Sequence, residues 1–321
     1  MKEIGGYLEL ENFMGCEYYK NSIALNTARN ALAYLAKARN MQKIYIPYFL
    51  CDSVSGVCDR EGIAYEYYHI DENFKPLFDG KIEGGAWLYV VNFYGQLSKE
   101  DIIEYKKKFG QIILDNVQAF FDAPIEGIDT IYSCRKFFGV PDGAYLISDC
   151  GFFDIDTDSS KERMKHLLGR YEGKTASDYY ADFKANDHSF VELPVRYMSR
   201  LTHNILGAID YVSIAEKRSE NWRTLHDKLG GFNKLKLNVP CGPYMYPFYW
   251  FDGMKIRKAL AEKKIYVPTL WPNVMNFDSC ELEKDYAQNI LPLPCDQRYG
   301  TDDMARIIGE ITRLTNDFYG G

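Results

Sequence analysis

The chain has 321 residues, 46% of them hydrophobic and 26% charged, with a formal net charge of -7. That length can bury a sizeable core and suggests two domains, or one large domain with an appendage, in a soluble globular protein. The acidic balance argues against nucleic acid or an anionic membrane surface as the main partner, though not against a small anion met by a few placed arginines.

From the start, Met1-Lys2-Glu3-Ile4-Gly5-Gly6 lacks the apolar centre of a signal peptide. No later run approaches the roughly 18 apolar residues that span a bilayer, so a cytoplasmic location is expected. Residues 1–24 read as an irregular arm anchored by Tyr7, Phe13, Tyr18 and Tyr19. Asn26 or Thr27 then caps a helix to about residue 37, with Ala28, Ala31, Leu32 and Leu35 at helical spacing. The free N–H groups and positive dipole end of such a helix suit an anion, although an ordinary N-cap explains Thr27 equally well.

Residues 43–48 form the next expected strand, followed by a helix to about residue 61 and a strand over 64–69. The eight cysteines are scattered without a C-x-x-C pair, so neither a zinc site nor a disulfide framework is indicated, and no metal is expected. Cys51, Cys58 and His69 can be imagined as ligands, but a buried thiol is the commoner state of such cysteines. Residues 86–91 are a fully apolar strand ending at Asn92, and Ser98 caps a charged helix over 99–108. The short apolar run Ile112-Ile113-Leu114 suits a parallel strand covered on both faces, which puts Asp115 at its carboxyl end. Open α/β sheets place their ligands there, and a carboxylate in that position can pair with the protonated pyridine nitrogen of pyridoxal phosphate (PLP). Capping of a turn accounts for Asp115 as readily.

Two further apolar runs, 128–132 and 144–147, enclose Ser133-Cys134-Arg135-Lys136 and the turn Gly139-Val140-Pro141-Asp142-Gly143. Such a turn holds the Lys136 ammonium near the core, where desolvation and Arg135 lower its pKa toward nucleophilic use, as in a Schiff base with an aldehyde cofactor. Taken alone, a solvated loop lysine is the commoner reading. Alternating strand and helix up to residue 115 argue for a parallel sheet. Residues 150–195 read as helices and loops over the cleft, and 198–229, without a proline, as one long linking helix. Arg200 and His203 on it could serve a substrate anion or a neighbouring subunit. Beyond residue 232 the pattern is that of a smaller α+β unit, with strands over 244–251 and 265–268, a helix over 253–263 and a closing helix over 302–316.

In order along the chain, Gly5-Gly6-Tyr7-Leu8-Glu9-Leu10, Leu25-Asn26-Thr27-Ala28-Arg29-Asn30, Ile46-Pro47-Tyr48-Phe49, Asn92-Phe93-Tyr94-Gly95-Gln96, Leu114-Asp115-Asn116-Val117-Gln118, Ser133-Cys134-Arg135-Lys136, Pro141-Asp142-Gly143, Trp271-Pro272 and Leu291-Pro292-Leu293-Pro294 form a set. The set resembles the DegT/DnrJ/EryC1/StrS family of fold-type-I PLP enzymes, mostly nucleotide-sugar aminotransferases. The resemblance implies a three-layer large domain with a mainly parallel sheet (1–197) and a linking helix with a small α+β domain (198–321). It implies PLP held on Lys136, with Asp115 at the pyridine nitrogen, Thr27, the Ala28 amide and Ser133 at the phosphate, and Gln118 at the ring oxygen. Cys51 matches the position of the aromatic ring that faces the cofactor, with Phe49 nearby. Glutamate as amino donor, a nucleotide-linked keto sugar as acceptor and a homodimer follow from the same resemblance. Family members acting as sugar dehydratases carry histidine at the lysine position, so Lys136 favours transamination. Asn26, Cys51 and Asn92 depart from the family's usual glycine, aromatic and histidine, which keeps open a catalytically silent PLP-fold binding protein. A Rossmann-type dehydrogenase lacks its glycine-rich turn here.

Overall fold

The computed structural model describes residues 4–173 and 175–319. The arm ends in a short strand, β1 (Ile23–Leu25), followed by α1 (Ala28–Ala38), β2 (Lys43–Pro47), α2 (Asp52–Glu61), β3 (Ala64–Ile70), β4 (Pro76–Leu77), β5 (Ala86–Val91), α3 (Lys99–Phe109), β6 (Ile112–Asp115), β7 (Asp129–Ser133) and β8 (Ala144–Ile147). These eight strands make one sheet in the order β1-β8-β7-β6-β5-β2-β3-β4. Its centre is parallel, from β3 through β2, β5 and β6 to β7, while β8 runs antiparallel to β7 and β1 antiparallel to β8. The mainly parallel α/β architecture expected from the sequence is therefore present. The parallel strands read as apolar runs because both faces are covered: every residue of β5 and β6 is buried.

The rest comprises α4 (Lys165–Tyr171), α5 (Tyr180–Ser189), α6 (Arg200–Gly207), α7 (Tyr211–Leu229), β9 (Tyr246–Tyr249), α8 (Gly253–Glu262), α9 (Glu281–Asn289), β10 (Ile290–Leu293) and α10 (Thr301–Tyr319). Three expectations change here. The arm carries a strand, β1, completed by pairing with β8. The long helix over 198–229 is two helices: Ala208 caps the end of α6, and Asp210 begins α7 by accepting the Ser213 amide at 3.1 Å. Residues 265–268 form no strand; the partner of β9 is β10, in antiparallel register Tyr246↔Leu293 to Tyr249↔Ile290. Ile265 and Val267 are buried all the same, in the core that gathers Trp222, Leu225, Ile256 and Ile311. Met198, Leu206 and Tyr211 belong to another core, with Phe120, Phe137 and Phe138. Among the described residues no helix is long and apolar enough to cross a membrane.

Candidate active site

Strand direction assembles the site. Because β1 is antiparallel to β8 and β8 to β7, β1 runs the same way as β7, β6, β5 and β2. Their carboxyl ends thus lie along one edge of the sheet, the edge at which such sheets bind ligands. Thr27 follows β1, Cys51 follows β2, Asn92 follows β5, Asp115 ends β6 with Gln118 just beyond, and Ser133 ends β7 with Lys136 just beyond. Leu25 and Ser133 both face Ala144 in register, one from each side of β8. All seven residues named for the cofactor from the sequence accordingly fall on this edge.

Asp115 is 3% exposed. Its Oδ1 accepts the Val117 amide at 2.9 Å and its Oδ2 the Tyr89 hydroxyl at 2.8 Å. Burial pushes its carboxyl up, against the opposing pull of the Lys136 ammonium, the Val117 amide and the Tyr89 hydroxyl. A carboxylate so placed is stabilised by any further cation brought beside it. Lys136 ends a single helical turn, Cys134–Lys136, set directly after β7. Arg218 and Gln297 both donate to the carbonyl oxygen of the next residue, Phe137, at 3.0 and 2.9 Å, fixing that turn. Lys136 keeps solvent access, yet enough protein surrounds it that desolvation holds its ammonium below the usual lysine range. Arg135 acts in the same sense; Asp115, Cys51 and Asp187 oppose it. The Tyr244 ring lies 5.7 Å from Nζ.

Thr27 is the N-cap of α1, its hydroxyl accepting the Asn30 amide at 3.1 Å. That bond uses one of the helix's free donors and leaves the Ala28 amide at the helix start. Arg29 lies close enough to Arg135 for each to feel the other's charge. Arg135 donates to Asp187 at 3.2 Å and packs over the Phe190 ring at 4.4 Å. Ser133, two cationic side chains and a helix N-terminus form a donor set suited to a phosphate. Asn26 makes no approach of its own: its Nδ2 donates to Asp158 and to the Pro194 carbonyl, both at 3.2 Å. Its backbone oxygen accepts the Gly143 amide at 2.6 Å, tying the start of α1 to the lysine turn. Gly143 is obligatory there, since its φ is +117° and an added Cβ would sit 3.1–3.3 Å from Thr202, Cys134 and Met198.

Phe49 is spent in the core, its ring 4.3 Å from Trp271 and 5.4 Å from Phe93. Cys51 is the exposed residue of that segment, its Sγ 2.6 Å from the Ser53 hydroxyl and within electrostatic range of Lys136. Gln118 is buried, and its Oε1 accepts the Tyr94 amide at 2.9 Å, which leaves its NH₂ group to face a ligand. Asn92 is fully engaged: Nδ2 donates to Asn116 and Asp122, and Oδ1 accepts the Leu97 amide at 2.9 Å. It positions the loop. His203 instead contacts the arm, its Nδ1 lying 2.6 Å from Glu17.

Sequence reasoning missed Tyr89, Arg29, Arg218 and Gln297. Only Tyr89 left a trace, as the one hydroxyl in the apolar run Ala86–Val91. The others act across 79 to 160 residues of separation, which no local pattern encodes.

The chain matches no family model and no curated protein sequence. Its fold does match solved structures. A DegT/DnrJ/EryC1/StrS aminotransferase from Brucella abortus superposes with a TM-score of 0.63 at 14% identity, covering 91% of this chain and 85% of that one. The sugar aminotransferase CalS13 from Micromonospora echinospora gives 0.61 at 14%, over 91% and 86%. NtdA from Bacillus subtilis, with bound cofactor PMP, gives 0.66 at 13%, over 93% and 73%. The chain thus has the fold of these proteins along nearly its whole length.

Proposed function

We propose that the protein is a PLP-dependent aminotransferase that moves an amino group from glutamate to a keto sugar, nucleotide-linked in the free substrate. This reading rests on the placement of Lys136, directly after β7, within electrostatic reach of buried Asp115 at the end of the neighbouring β6, on the carboxyl edge of the sheet. The donor set fits the cofactor. Asp115 offers an anion, already steadied by Tyr89 and Val117, to the protonated ring nitrogen. Thr27, the Ala28 amide and Ser133, with Arg29 and Arg135 nearby, offer donors and positive charge to the phosphate. The Gln118 NH₂ group is suited to the ring oxygen, and Cys51 is the side chain its segment offers to a ring face.

When bound, PLP supplies an electron sink for the carbon that loses or gains its proton. Lys136 would be the attachment point and then the base and acid that carries that proton. Its lowered pKa suits this task, because the neutral amine must form without a large cost near neutral pH. Asp115 would hold the ring nitrogen in its protonated form. The Phe137 carbonyl, gripped by Arg218 and Gln297, would hold the Lys136 backbone in place. A homodimer, as in fold-type-I enzymes, belongs to the same reading.

The test is to load the protein with PLP, reduce it with borohydride and map the adduct by peptide mass spectrometry. Attachment at Lys136 is expected. Attachment at surface lysines alone, or none, would leave the fold without this chemistry.

A further inference from the structure

Away from the lysine cleft, at the β3 end of the sheet and four strands along from β7, three metal-ligating side chains converge. His69 comes from the end of β3, Cys280 directly precedes α9, and Glu283 lies in the first turn of α9. Their ligand atoms all lie within 4.8 Å of one another. His69 Nδ1 is 2.9 Å from Glu283 Oε1, which also accepts the Ile70 amide at 3.1 Å. We propose that His69, Cys280 and Glu283 bind one transition-metal dication of the zinc class, which pins α9 to the end of β3.

Ligand chemistry selects the ion. An imidazole nitrogen, a thiolate and a carboxylate suit zinc and its neighbours, whereas calcium and magnesium seek oxygen alone. Geometry is close to what such an ion needs. Tetrahedral bonds of about 2.0–2.3 Å place ligand atoms roughly 3.3–3.8 Å apart. The His69–Glu283 contact has only to open slightly, and the thiol to swing in. Cys280 and Glu283, three apart at the start of one helix, already face the same way. His69 is oriented by the Tyr48 ring, 4.7 Å away at 34°.

Burial argues in the same direction. Glu283 is 1% exposed and Cys280 fully buried, whereas the His69 side chain is 42% exposed. A carboxylate in that position is costly unless hydrogen bonds or a cation compensate it, and a bound dication would supply the charge. A cavity of about 410 Å³ bounded by Ile70, Leu77, Ser279 and Leu282 opens onto His69 and Glu283, while Cys280 is fully buried. It gives the ion an entry path and leaves room for water as a fourth ligand.

Capture exchanges a proton for the metal: the sulfur–hydrogen bond breaks, the sulfur–metal bond forms, and the proton passes to solvent. Burial and the Glu283 carboxylate push the Cys280 thiol up to about 11, with Lys284 opposing them. Glu281, on the cavity wall, adds negative charge that favours a dication.

The experiment uses the full chain, stripped with chelator, with zinc added in a calorimeter and cobalt added under an absorption spectrometer. One equivalent of zinc should bind and raise the unfolding midpoint, and cobalt should give a thiolate charge-transfer band. His69→Gln and Cys280→Ser should each weaken zinc at least about tenfold. Cys280→Ser should also abolish the cobalt band, while Cys16→Ser, an exposed cysteine elsewhere, should keep it. His69→Gln, at a half-exposed position, keeps the test open should the buried serine variant misfold. Zinc binding equal in both variants, a cobalt band that survives Cys280→Ser, no zinc-dependent rise in midpoint, or an equal rise with magnesium would each overturn the site.

Discussion

Lys136 and Asp115 set each other's protonation. The carboxylate raises the ammonium's pKa and the ammonium lowers the carboxyl's, while burial drives both toward their neutral forms. Replacing Asp115 with Asn removes the anion that favours charged Lys136, so the lysine should lose its proton at lower pH. The rate of covalent PLP capture, followed by stopped-flow absorbance, rises with pH as Lys136 deprotonates. In Asp115→Asn its midpoint should move down, and turnover should fall about 10²-fold or more as the ring nitrogen loses its partner. An unmoved or higher midpoint would show that the two groups are not coupled. Tyr89→Phe tests the support beneath this pair. Loss of a buried hydrogen bond to a carboxylate should cost about 1–3 kcal/mol in urea unfolding.

Among the elements, sequence reasoning succeeded where one local signal dominated. The capped starts of α1 and α3, the apolar runs of β5 and β6, and the amphipathic α10 were all legible. The split between α6 and α7 has no proline to mark it, so the segment reads as continuous. Gly207-Ala208-Ile209-Asp210 is a stop followed by a cap. Asp210→Ala should therefore lower stability by about 1 kcal/mol, measured by urea denaturation, with little change at the cofactor. β10 was missed for a different reason. Pro292 argues against a central strand but is tolerated in a two-stranded ribbon, where it faces Pro247. The turn before β8 carries the most exacting local demand. Gly143→Ala places a Cβ at positive φ against three neighbours, so a loss of about 1–3 kcal/mol is expected, together with poorer PLP retention as the Asn26 contact and the lysine turn shift.

Across the whole molecule, the edge of the sheet was readable because fold direction converts strand ends into a line of residues. Thr27, Asp115 and Lys136 could be placed together from motifs alone. Their supports could not, since Arg218, Gln297 and the Asn26–Asp158 bond join distant segments. One global consequence is a pH dependence of stability. Burial raises the Asp122 carboxyl to about 6, with Asn92 donating to it at 3.0 Å. Its folded pKa exceeds the ordinary 3.8, so the folded state holds this proton more tightly than the unfolded chain. That contribution is fully present below about 4 and is lost as pH rises to about 6. Thermal unfolding of Asp122→Asn across this window should show a smaller decline than the parent protein. The exposed apolar residues of the arm, Tyr7, Leu8 and Met14, suit burial against a second copy, and sedimentation is expected to report a dimer.

The proposed activity turns on Lys136. Its most direct test is the absorption spectrum of the PLP-loaded protein before and after glutamate, alongside Lys136→Ala. A visible band from cofactor bonded to the lysine is expected, replaced by the spectrum of the pyridoxamine form when glutamate is added. The variant should show neither the bonded band nor the conversion. A parent protein whose spectrum ignores glutamate and every other amino donor, or a Lys136→Ala protein that converts as fast as the parent, would contradict it.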